Sequence, residues 1–354
     1  MPEAPAHGRQ PARHSVLPRR ALIIATAVAV ACLSFPSTTS TAGKPVVLAA
    51  IPPPAPPQWS ELGGFLAGVR GRFRGVISYY IEDLQTGRTI VWNENQPLPA
   101  GSVIKLPIAV SVFEQELAGK IQLDAEVELK PTDKADGSGV LKRARSGTKL
   151  TVGNLVELML QRSDNTATNM LTDLLGLEEI NDACRRQGLT STCMPRYIMD
   201  LSARDNRIEN YTSATDMGRL LKALYAGSIL DPESSGQLLD ILKGQHVRDR
   251  LPRYLPRGVV VAHKTGLMKD ACHDVGILYG RNHDYVVAVL TSEFGSYTQA
   301  KQAIGQIGRA VYLYDAGEPI TLAKVVRRKN LSNSPAKSRP AKSRTTKSAK
   351  QRKG

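Results

Sequence analysis

Three short motifs hold residue types that suit acyl transfer. Ser102-Val-Ile-Lys105 offers a hydroxyl nucleophile beside an amine, Ser163-Asp-Asn165 a hydroxyl beside an amide, and Lys264-Thr-Gly266 a cation beside a hydroxyl. A lysine held in a dry environment loses proton affinity, so Lys105 can serve as the base that activates Ser102. The three motifs therefore predict a serine nucleophile, a proton relay and a group that binds a substrate carboxylate.

The surroundings of the first motif separate it from other Ser-x-x-Lys strings, at 146–149 and 334–337. Only Ser102 stands before an apolar stretch, Leu106 to Ala118, whose composition predicts a helix. Three residues make about one helical turn, so Ser102 and Lys105 share a face. Backbone N–H groups at a helix start also favour developing negative charge. A serine cap followed by an exposed lysine is the alternative interpretation of this motif.

The second motif joins two predicted helices. Ser163 can pass a proton to a leaving nitrogen, and Asn165 can hold a substrate amide carbonyl. Asp164 is expected to orient the loop rather than to react. An ordinary loop that caps the next helix is the alternative interpretation.

The third motif stands at the end of an apolar strand predicted for Val259 to Ala262. Lys264 and Thr265 would bind a substrate carboxylate, and Gly266 would let a flat substrate approach the strand backbone. An ordinary strand end followed by a turn is the alternative interpretation.

The elements around these motifs predict an α/β (α+β) fold with two lobes. The body is expected to begin with strands, continue with a helical block at about 120–255, and end with strands and a helix. The simplest packing is an antiparallel sheet covered by terminal helices, with the all-helical block inserted as a second lobe. A site would form in the cleft between the lobes. The predicted strands are 76–83, 89–92, 258–263, 274–279 and 285–292, and the main predicted helices are 152–161, 166–175, 177–187, one capped by Thr212 or Ser213, one starting at Asp231-Pro232, and 299–314.

The motifs and their neighbours resemble the class A β-lactamase family of penicillin-recognising serine hydrolases, over roughly residues 60–316. The matching strings are Gly101-Ser-Val-Ile-Lys-Leu-Pro107, Ser163-Asp-Asn-Thr-Ala167 and Ala262-His-Lys-Thr-Gly266. The resemblance implies the same two-lobed fold. It also implies that the backbone N–H groups of Ser102 and Leu267 stabilise the oxyanion of the reaction.

One element of that family has no counterpart in this chain. The family carries a Glu-x-x-Leu-Asn string whose glutamate activates the water that releases the acyl group. Asp200 stands nearest to the expected place, with Glu209 and Asp205 as alternatives, and a helix cap or a surface carboxylate is an equally good interpretation of Asp200. We therefore expect acylation to be faster than deacylation.

Positive charge is concentrated at the two ends of the chain. Of 47 Lys and Arg residues, 12 lie in residues 324–354 and four in 1–20, whereas 21–323 contain 31 basic and 31 acidic residues. A neutral body argues against a broad basic face for a nucleic-acid duplex, so no nucleic-acid partner is expected. The scattered His and Cys residues lack zinc-site spacing, so neither metal nor cofactor is expected.

The N-terminus predicts an exported protein. Arg19-Arg20 precede an apolar run, Ala21 to Ala31, that is shorter than the about 20 residues of a membrane span. We expect an export signal at 1–42, with free secretion, an uncleaved tether and lipidation of Cys32 as alternatives. A Pro-rich linker at 43–58, a catalytic domain at 59–320 and a disordered basic tail at 321–354 follow. Cys184 could pair with Cys193 in an oxidising compartment.

The preferred hypothesis is an exported, monomeric serine hydrolase that opens β-lactams through an acyl-Ser102 intermediate. A D-Ala-D-Ala peptidase that β-lactams inhibit is the first alternative. A noncatalytic cell-surface protein, whose tail contacts anionic wall polymers or lipid headgroups, is the second.

Overall fold

The computed structural model describes residues 59–326, which form a central five-stranded sheet with helices on both of its faces and two small two-stranded sheets. In chain order the helices are α1 (Trp59–Arg72), α2 (Lys105–Leu117), α3 (Val152–Gln161), α4 (Asn165–Leu175), α5 (Leu177–Arg186), α6 (Leu201–Asp205), α7 (Ala214–Tyr225), α8 (Pro232–Lys243), α9 (Tyr297–Asp315) and α10 (Leu322–Val326). The strands are β1 (Val76–Asp83), β2 (Thr89–Trp92), β3 (Leu98–Pro99), β4 (Glu126–Glu128), β5 (Lys149–Thr151), β6 (Tyr211–Thr212), β7 (Val261–Leu267), β8 (Ala271–Tyr279) and β9 (Asp284–Ser292). The two small sheets pair β3 with β6 and β4 with β5.

The central sheet is antiparallel throughout, in the order β2-β1-β9-β8-β7. Its middle strands β8 and β9 are almost continuously buried, because helices cover both faces. Strands covered on both sides are expected to be apolar runs rather than alternating ones, as β9 is, whereas β8 departs from this pattern at buried His273 and Asp274. Strand β7 is an edge strand, so one side of its backbone is free to face a cleft.

Two hydrophobic cores lie on opposite faces of the sheet. One joins the sheet to α1 and α9, through residues such as Leu66, Ile304 and Val287. The other joins it to the helical lobe, through residues such as Phe113, Leu155 and Ala288. The predicted α/β fold, with terminal helices on the sheet and an inserted helical lobe, is confirmed.

The caps of the helical lobe lie where the sequence places them. The side chain of Thr151 accepts from Asn154 N at the start of α3, Ser213 accepts from Asp216 N at the start of α7, and Asp231 caps α8. Such caps satisfy backbone N–H groups that have no partner within the helix. The predicted starts of α3 and α8 are therefore confirmed to the residue.

Helix α1 overturns the prediction that the body begins with strands. It contains four glycines, at positions 63, 64, 68 and 71, and glycine disfavours helix by about 1 kcal/mol per residue relative to alanine. The low helix propensity of these glycines explains why the sequence did not predict this helix. Its formation depends on the burial of Leu62, Leu66 and Val69 against the sheet.

Other features also differ from the predictions, and three of them concern the lobe, the third motif and the tail. The lobe is not purely helical, because β4 pairs with β5 within it. Strand β7 continues through the Lys264-Thr-Gly266 motif instead of ending before it. The tail predicted to be disordered from residue 321 instead begins with α10, whose Val325 is buried in the core under α9.

Cys184, Cys193 and Cys272 are all free thiols, which contradicts the suggested pairing of the first two. Cys184 and Cys272 are buried, and burial raises the pKa of each thiol. The predicted export signal, the Pro-rich linker and residues 327–354 of the tail lie outside the described residues. Within residues 59–326, no helix is long and apolar enough to cross a membrane.

Candidate active site

Ser102 lies in a tight turn that leads into α2. Residues Gly101–Ile104 form one turn of 3-10 helix, and Lys105 donates its backbone N–H to the carbonyl of Ser102. Side chains three residues apart are nearly eclipsed in a 3-10 helix, so Ser102 and Lys105 share a face. The helix predicted for Leu106 to Ala118 begins at Lys105, and the tight turn before it gives Ser102 and Lys105 the alignment expected of one helical turn.

The hydroxyl of Ser163 lies between two lysines from different parts of the chain. Lys105 Nζ is 3.3 Å and Lys264 Nζ is 3.1 Å from Ser163 Oγ. Lys105 also donates to the carbonyl of Ser163 at 2.7 Å and to Oδ1 of Asn165 at 2.8 Å. The structure thus brings all three motifs together at one hydroxyl group.

Both lysines are completely buried, which sets their protonation. Burial, together with the nearby charge of Lys264, holds the pKa of Lys105 well below its ordinary value. Burial also lowers the pKa of Lys264 to about 7; the Arg250 charge acts in the same direction, and Asp274 opposes it. Neutral lysine is therefore accessible near physiological pH, which a base for Ser102 requires.

The Ser163-Asp-Asn165 loop has an unusual backbone that its neighbours hold in place. Ser163 has a φ of 54°, a left-handed conformation that costs a non-glycine residue about 1 kcal/mol or more. Asp164 is fully buried and accepts three backbone N–H groups, from Val140 at 2.5 Å, Leu141 at 2.9 Å and Ala167 at 3.0 Å. The structural role predicted for Asp164 is confirmed.

Asn165 is oriented by contacts on both ends of its amide. Its Oδ1 accepts from Lys105, and its Nδ2 donates to the carbonyl of Asp136 at 2.7 Å. An amide nitrogen carries two hydrogens, so one donor remains for a substrate carbonyl. Gly137 makes room for this amide, because a Cβ there would lie only 2.7 Å from Asn165 Nδ2.

The register of β7 directs the Leu267 N–H away from the sheet. Met268 N donates to Ala271 O at 2.8 Å and closes a two-residue hairpin, so the next pair, Leu267 with Cys272, is a non-hydrogen-bonded pair. Because β7 is an edge strand, that N–H faces outward. A Cβ built on Gly101 would lie 3.6 Å from Leu267 N, which puts this donor beside the Ser102 turn.

Gly266 allows close packing at this point of β7, and its role in substrate approach stays a prediction. A Cβ there would lie 3.0 Å from the His273 ring and 3.2 Å from Val103. The missing side chain therefore lets β7 pack closely against the turn that carries Ser102. Thr265, between Lys264 and Gly266, is buried, and its backbone carbonyl accepts a hydrogen bond from Lys264 Nζ at 3.0 Å.

A cavity of about 260 Å³, the cleft cavity, opens beside this cluster. Ser102, Asn165 and Leu267 line it, whereas Lys105 and Lys264 are buried behind its wall. The other side is formed by a segment that we call the cleft loop (Arg196–Asn210), which contains α6. The lining residues are Gly101, Ser102, Gly137, Ser138, Asn165, Arg196, Ile198, Met199, Leu201, Arg204, Glu209, Asn210, Leu267, Met268 and Lys269.

Asp200, the suggested deacylating base, lies outside the cleft cavity. Its Oδ1 caps α6 by accepting from Ala203 N at 2.9 Å, and the residue lines a second cavity, which shares Ile198, Met199 and Leu201 with the first. Asp205 does not line the cleft cavity either. Among the described lining residues the one acid is Glu209, and ion pairs with Arg196 and Arg204 hold its carboxylate.

Three arginines were missed in the sequence. Arg196 and Arg204 line the cleft cavity, and buried Arg250 lies close enough to Lys264 to depress its pKa. None belongs to a motif, and arginine is common on surfaces. The strained turn conformation of Ser163 likewise has no signal in the sequence.

Comparisons with known proteins agree with this geometry. Residues 65–314 match the profile of the Beta-lactamase enzyme family. A β-lactamase from Sphaerobacter thermophilus is 31% identical, covering 73% of this chain and 98% of that one, with a TM-score of 0.68. A variant of PBP-A, solved as its acyl-enzyme complex with penicillin G, is 29% identical over 73% of this chain and 97% of its own, with a TM-score of 0.67.

A reconstructed ancestral class A β-lactamase is also similar, at 28% identity over 71% of this chain and 98% of its own, with a TM-score of 0.66. The match to the family profile spans well over half of the chain. Family and fold together support an enzyme that acts on β-lactams, either as a hydrolase or in the manner of a penicillin-binding protein. This chain therefore belongs to the β-lactamase enzyme family, with class A enzymes and PBP-A among its structural neighbours.

Proposed function

We propose that this protein is a serine enzyme that β-lactams acylate at Ser102 and that releases the acyl group slowly. The observation that carries the proposal is the position of Ser163 Oγ, within hydrogen-bond distance of both Lys105 and Lys264 behind a cavity lined by Ser102. This arrangement supplies a path for a proton from the nucleophile to the leaving group.

Acylation begins when Lys105, in its neutral form, takes the Ser102 proton directly or through Ser163. Ser102 Oγ then bonds to the lactam carbonyl carbon. Ser163 passes a proton to the ring nitrogen as the C–N bond breaks, and its hydroxyl regains a proton from Lys105, which took up the proton of Ser102. Lys264 and Thr265 hold the substrate carboxylate, while Asn165 Nδ2 binds the amide carbonyl of the substrate side chain.

The oxyanion that forms during attack needs preorganised donors. The outward Leu267 N–H, next to the Ser102 turn, supports the two-donor pocket expected from the backbone N–H groups of Ser102 and Leu267. A donor of this kind typically contributes about 3 kcal/mol to transition-state stabilisation.

Slow release of the acyl group is expected because the carboxylates near the cavity are already engaged by other groups. The carboxylate of Glu209 accepts from Arg196, Arg204 and its neighbouring backbone N–H, so it has little capacity left to activate water. Asp200 is engaged in a helix cap beyond the cavity. A general base must come within hydrogen-bond reach of its water, which neither arrangement favours.

A D-Ala-D-Ala peptidase is the second candidate function. The same missing base favours it, as does the similarity to PBP-A, a protein solved with penicillin G bound covalently. The rates of cleavage of a D-Ala-D-Ala peptide and of penicillin, measured on one preparation, separate the two functions.

A chromogenic cephalosporin tests the proposal itself. We expect a burst of ring opening, stoichiometric with the protein, followed by a slow linear phase, and we expect neither phase in Ser102→Ala. A linear trace with no burst would refute slow deacylation. If Ser102→Ala retained the wild-type binding behaviour and no acylation were ever detected, the noncatalytic alternative would replace the enzyme.

The proposal also includes export of the protein and contact of its basic tail with anionic partners. The apolar run behind Arg19-Arg20 supports a location outside the cytoplasm, where cell-wall substrates and β-lactams are met. The basic residues of 327–354 suit contact with anionic wall polymers or lipid headgroups.

A further inference from the structure

The cleft loop holds more positive than negative charge where it faces the cavity. Arg196 and Arg204 share the carboxylate of Glu209: Arg196 pairs with one oxygen, and Arg204 Nε lies 3.0 Å from the other. All three residues line the cleft cavity, together with Lys269 from the turn between β7 and β8. This wall of the cavity therefore has three cations and one acid.

Two buried donors in the same wall have no acceptor. Arg196 uses its Nη atoms on Tyr197 O and Glu209, but its Nε has no hydrogen-bond partner among the described residues. Asn210 uses its Oδ1 on Arg196 N, and its Nδ2 is likewise unpaired within residues 59–326. Both residues are more than nine-tenths buried. A buried donor without an acceptor is costly, so these groups are suited to an acceptor that a ligand brings.

Arg204 adds a cation that pairs with Asp270 as well as with Glu209, and a ligand can displace Asp270 easily. Its Nη2 donates to Oδ1 of Asp270 at 2.7 Å, so the side chain spans the cleft from the cleft loop to the β7–β8 turn. About half of the Asp270 side chain is exposed, and exposed ion pairs contribute little. An incoming carboxylate can therefore replace Asp270 at small cost.

We propose that this end of the cleft cavity is a subsite for a carboxylate on the side chain of the acyl donor. Arg204 would pair with the carboxylate, and Arg196 Nε and Asn210 Nδ2, which solvent does not reach in this structure, would donate to it after a shift of the cleft loop. This carboxylate is distinct from the one that Lys264 and Thr265 hold, so the preferred substrates are acyl donors with two acidic groups. The proposal rests on the acyl-transfer function proposed above and narrows its substrate class.

Two penicillins with the same aliphatic acyl side chain test the subsite, one ending in a carboxylate and the other in its methyl ester. The second-order rate constant of acylation is measured for each, and their ratio is the readout. Arg204→Gln should lower the carboxylate-to-ester ratio by about fivefold, the upper range for one partly exposed charge pair. Asn210→Asp, which replaces a donor with a negative charge, should lower it as well.

Asp270→Asn should change the ratio in the opposite direction. Without its competing carboxylate, Arg204 is free to bind the substrate, so the ratio should rise about two- to fivefold. Asp240→Asn is the matched control, because it breaks an exposed ion pair with Lys243 on α8, at 2.7 Å, away from the cleft cavity. Its ratio should equal that of the wild type.

The proposal is overturned if Arg204→Gln and Asn210→Asp fold as the wild type does and keep its ratio. If either of them fails to fold, Asp270→Asn decides: a raised ratio supports the subsite and an unchanged one overturns it. If both penicillins acylate Ser102 of the wild type at equal rates, the result contradicts the subsite but leaves the proposed function intact. If neither penicillin acylates Ser102, the proposed function fails instead.

Discussion

At the scale of single residues, the chemistry depends on two buried lysines that contact one hydroxyl. Two ammonium ions cannot both be stable there, and the pKa of each lysine is depressed. The proposed division is a neutral Lys105 as base and a protonated Lys264 as carboxylate anchor. The motif residues were predictable because order and context placed them together. The left-handed Ser163 and the unpaired donors of the cleft loop were not, because tertiary contacts alone create them.

The pH dependence of acylation follows from the pKa of Lys264. Above its pKa of about 7, Lys264 loses its charge and its attraction for the substrate carboxylate, so the second-order rate constant should fall as pH rises through 7. Towards low pH the rate should also fall, because Lys105, whose pKa burial depresses, becomes protonated and can no longer act as a base. Stopped-flow acylation across pH 5 to 10 would show both limbs.

Lys264→Arg serves as the control for that assignment, since a guanidinium stays charged far above pH 7. The alkaline limb should move to higher pH in this variant, whatever its absolute rate. A limb that stays near pH 7 in Lys264→Arg would assign the titration to another group.

Asp200 gives a second residue-scale prediction. Asparagine caps helices about as well as aspartate, so Asp200→Asn keeps the start of α6 and removes only the carboxylate. The deacylation rate of benzylpenicilloyl enzyme should therefore stay within about twofold of wild type. A tenfold or greater slowing, measured by mass spectrometry after removal of free penicillin, would restore Asp200 as the base.

At the scale of elements, caps and apolar periodicity located most of the helical lobe, because both are local signals. The failures have a common cause in non-local packing. Helix α1 forms despite four glycines because the sheet buries its apolar face, and β7 continues through Lys264 because its edge packs against the Ser102 turn. The loop that carries Ser163 depends in the same way on Asp164.

Asp164→Ala should strongly destabilise the helical lobe. It leaves three backbone N–H groups without their charged acceptor, which we expect to cost on the order of 3 kcal/mol or more in the free energy of unfolding. Asp231→Ala, which removes the more exposed cap of α8, should cost clearly less. Equal losses for the two variants in urea denaturation would contradict the anchoring role of Asp164.

At the scale of the whole molecule, the net positive charge of the C-terminal tail and the candidate active site lie in different parts of the chain. Residues 59–326 contain 31 basic and 31 acidic residues, whereas 327–354 contain 11 basic residues and no acid. Composition indicated this division. The order of layers around the sheet could also be inferred from the sequence of strands and helices, but the boundary of the tail could not, because α10 is held by tertiary contacts such as the burial of Val325 in the core under α9.

Removal of residues 327–354 should therefore abolish binding to anionic lipid without affecting acylation. The shortened protein should acylate with penicillin at the wild-type rate but lose binding to vesicles that contain anionic lipid. Vesicles of neutral lipid serve as the control, since neither protein should bind them. Undiminished binding of the shortened protein to anionic vesicles would show that the tail is not the contact.

The central claim is that Ser102 forms a covalent acyl-enzyme that persists. Intact-protein mass spectrometry over time, after brief exposure to benzylpenicillin, tests it most directly. We predict one adduct per chain that maps to Ser102, decays slowly once free penicillin is removed, and is absent from Ser102→Ala. An adduct that forms equally on Ser102→Ala, or steady turnover of penicillin with no adduct at any time, would contradict the account.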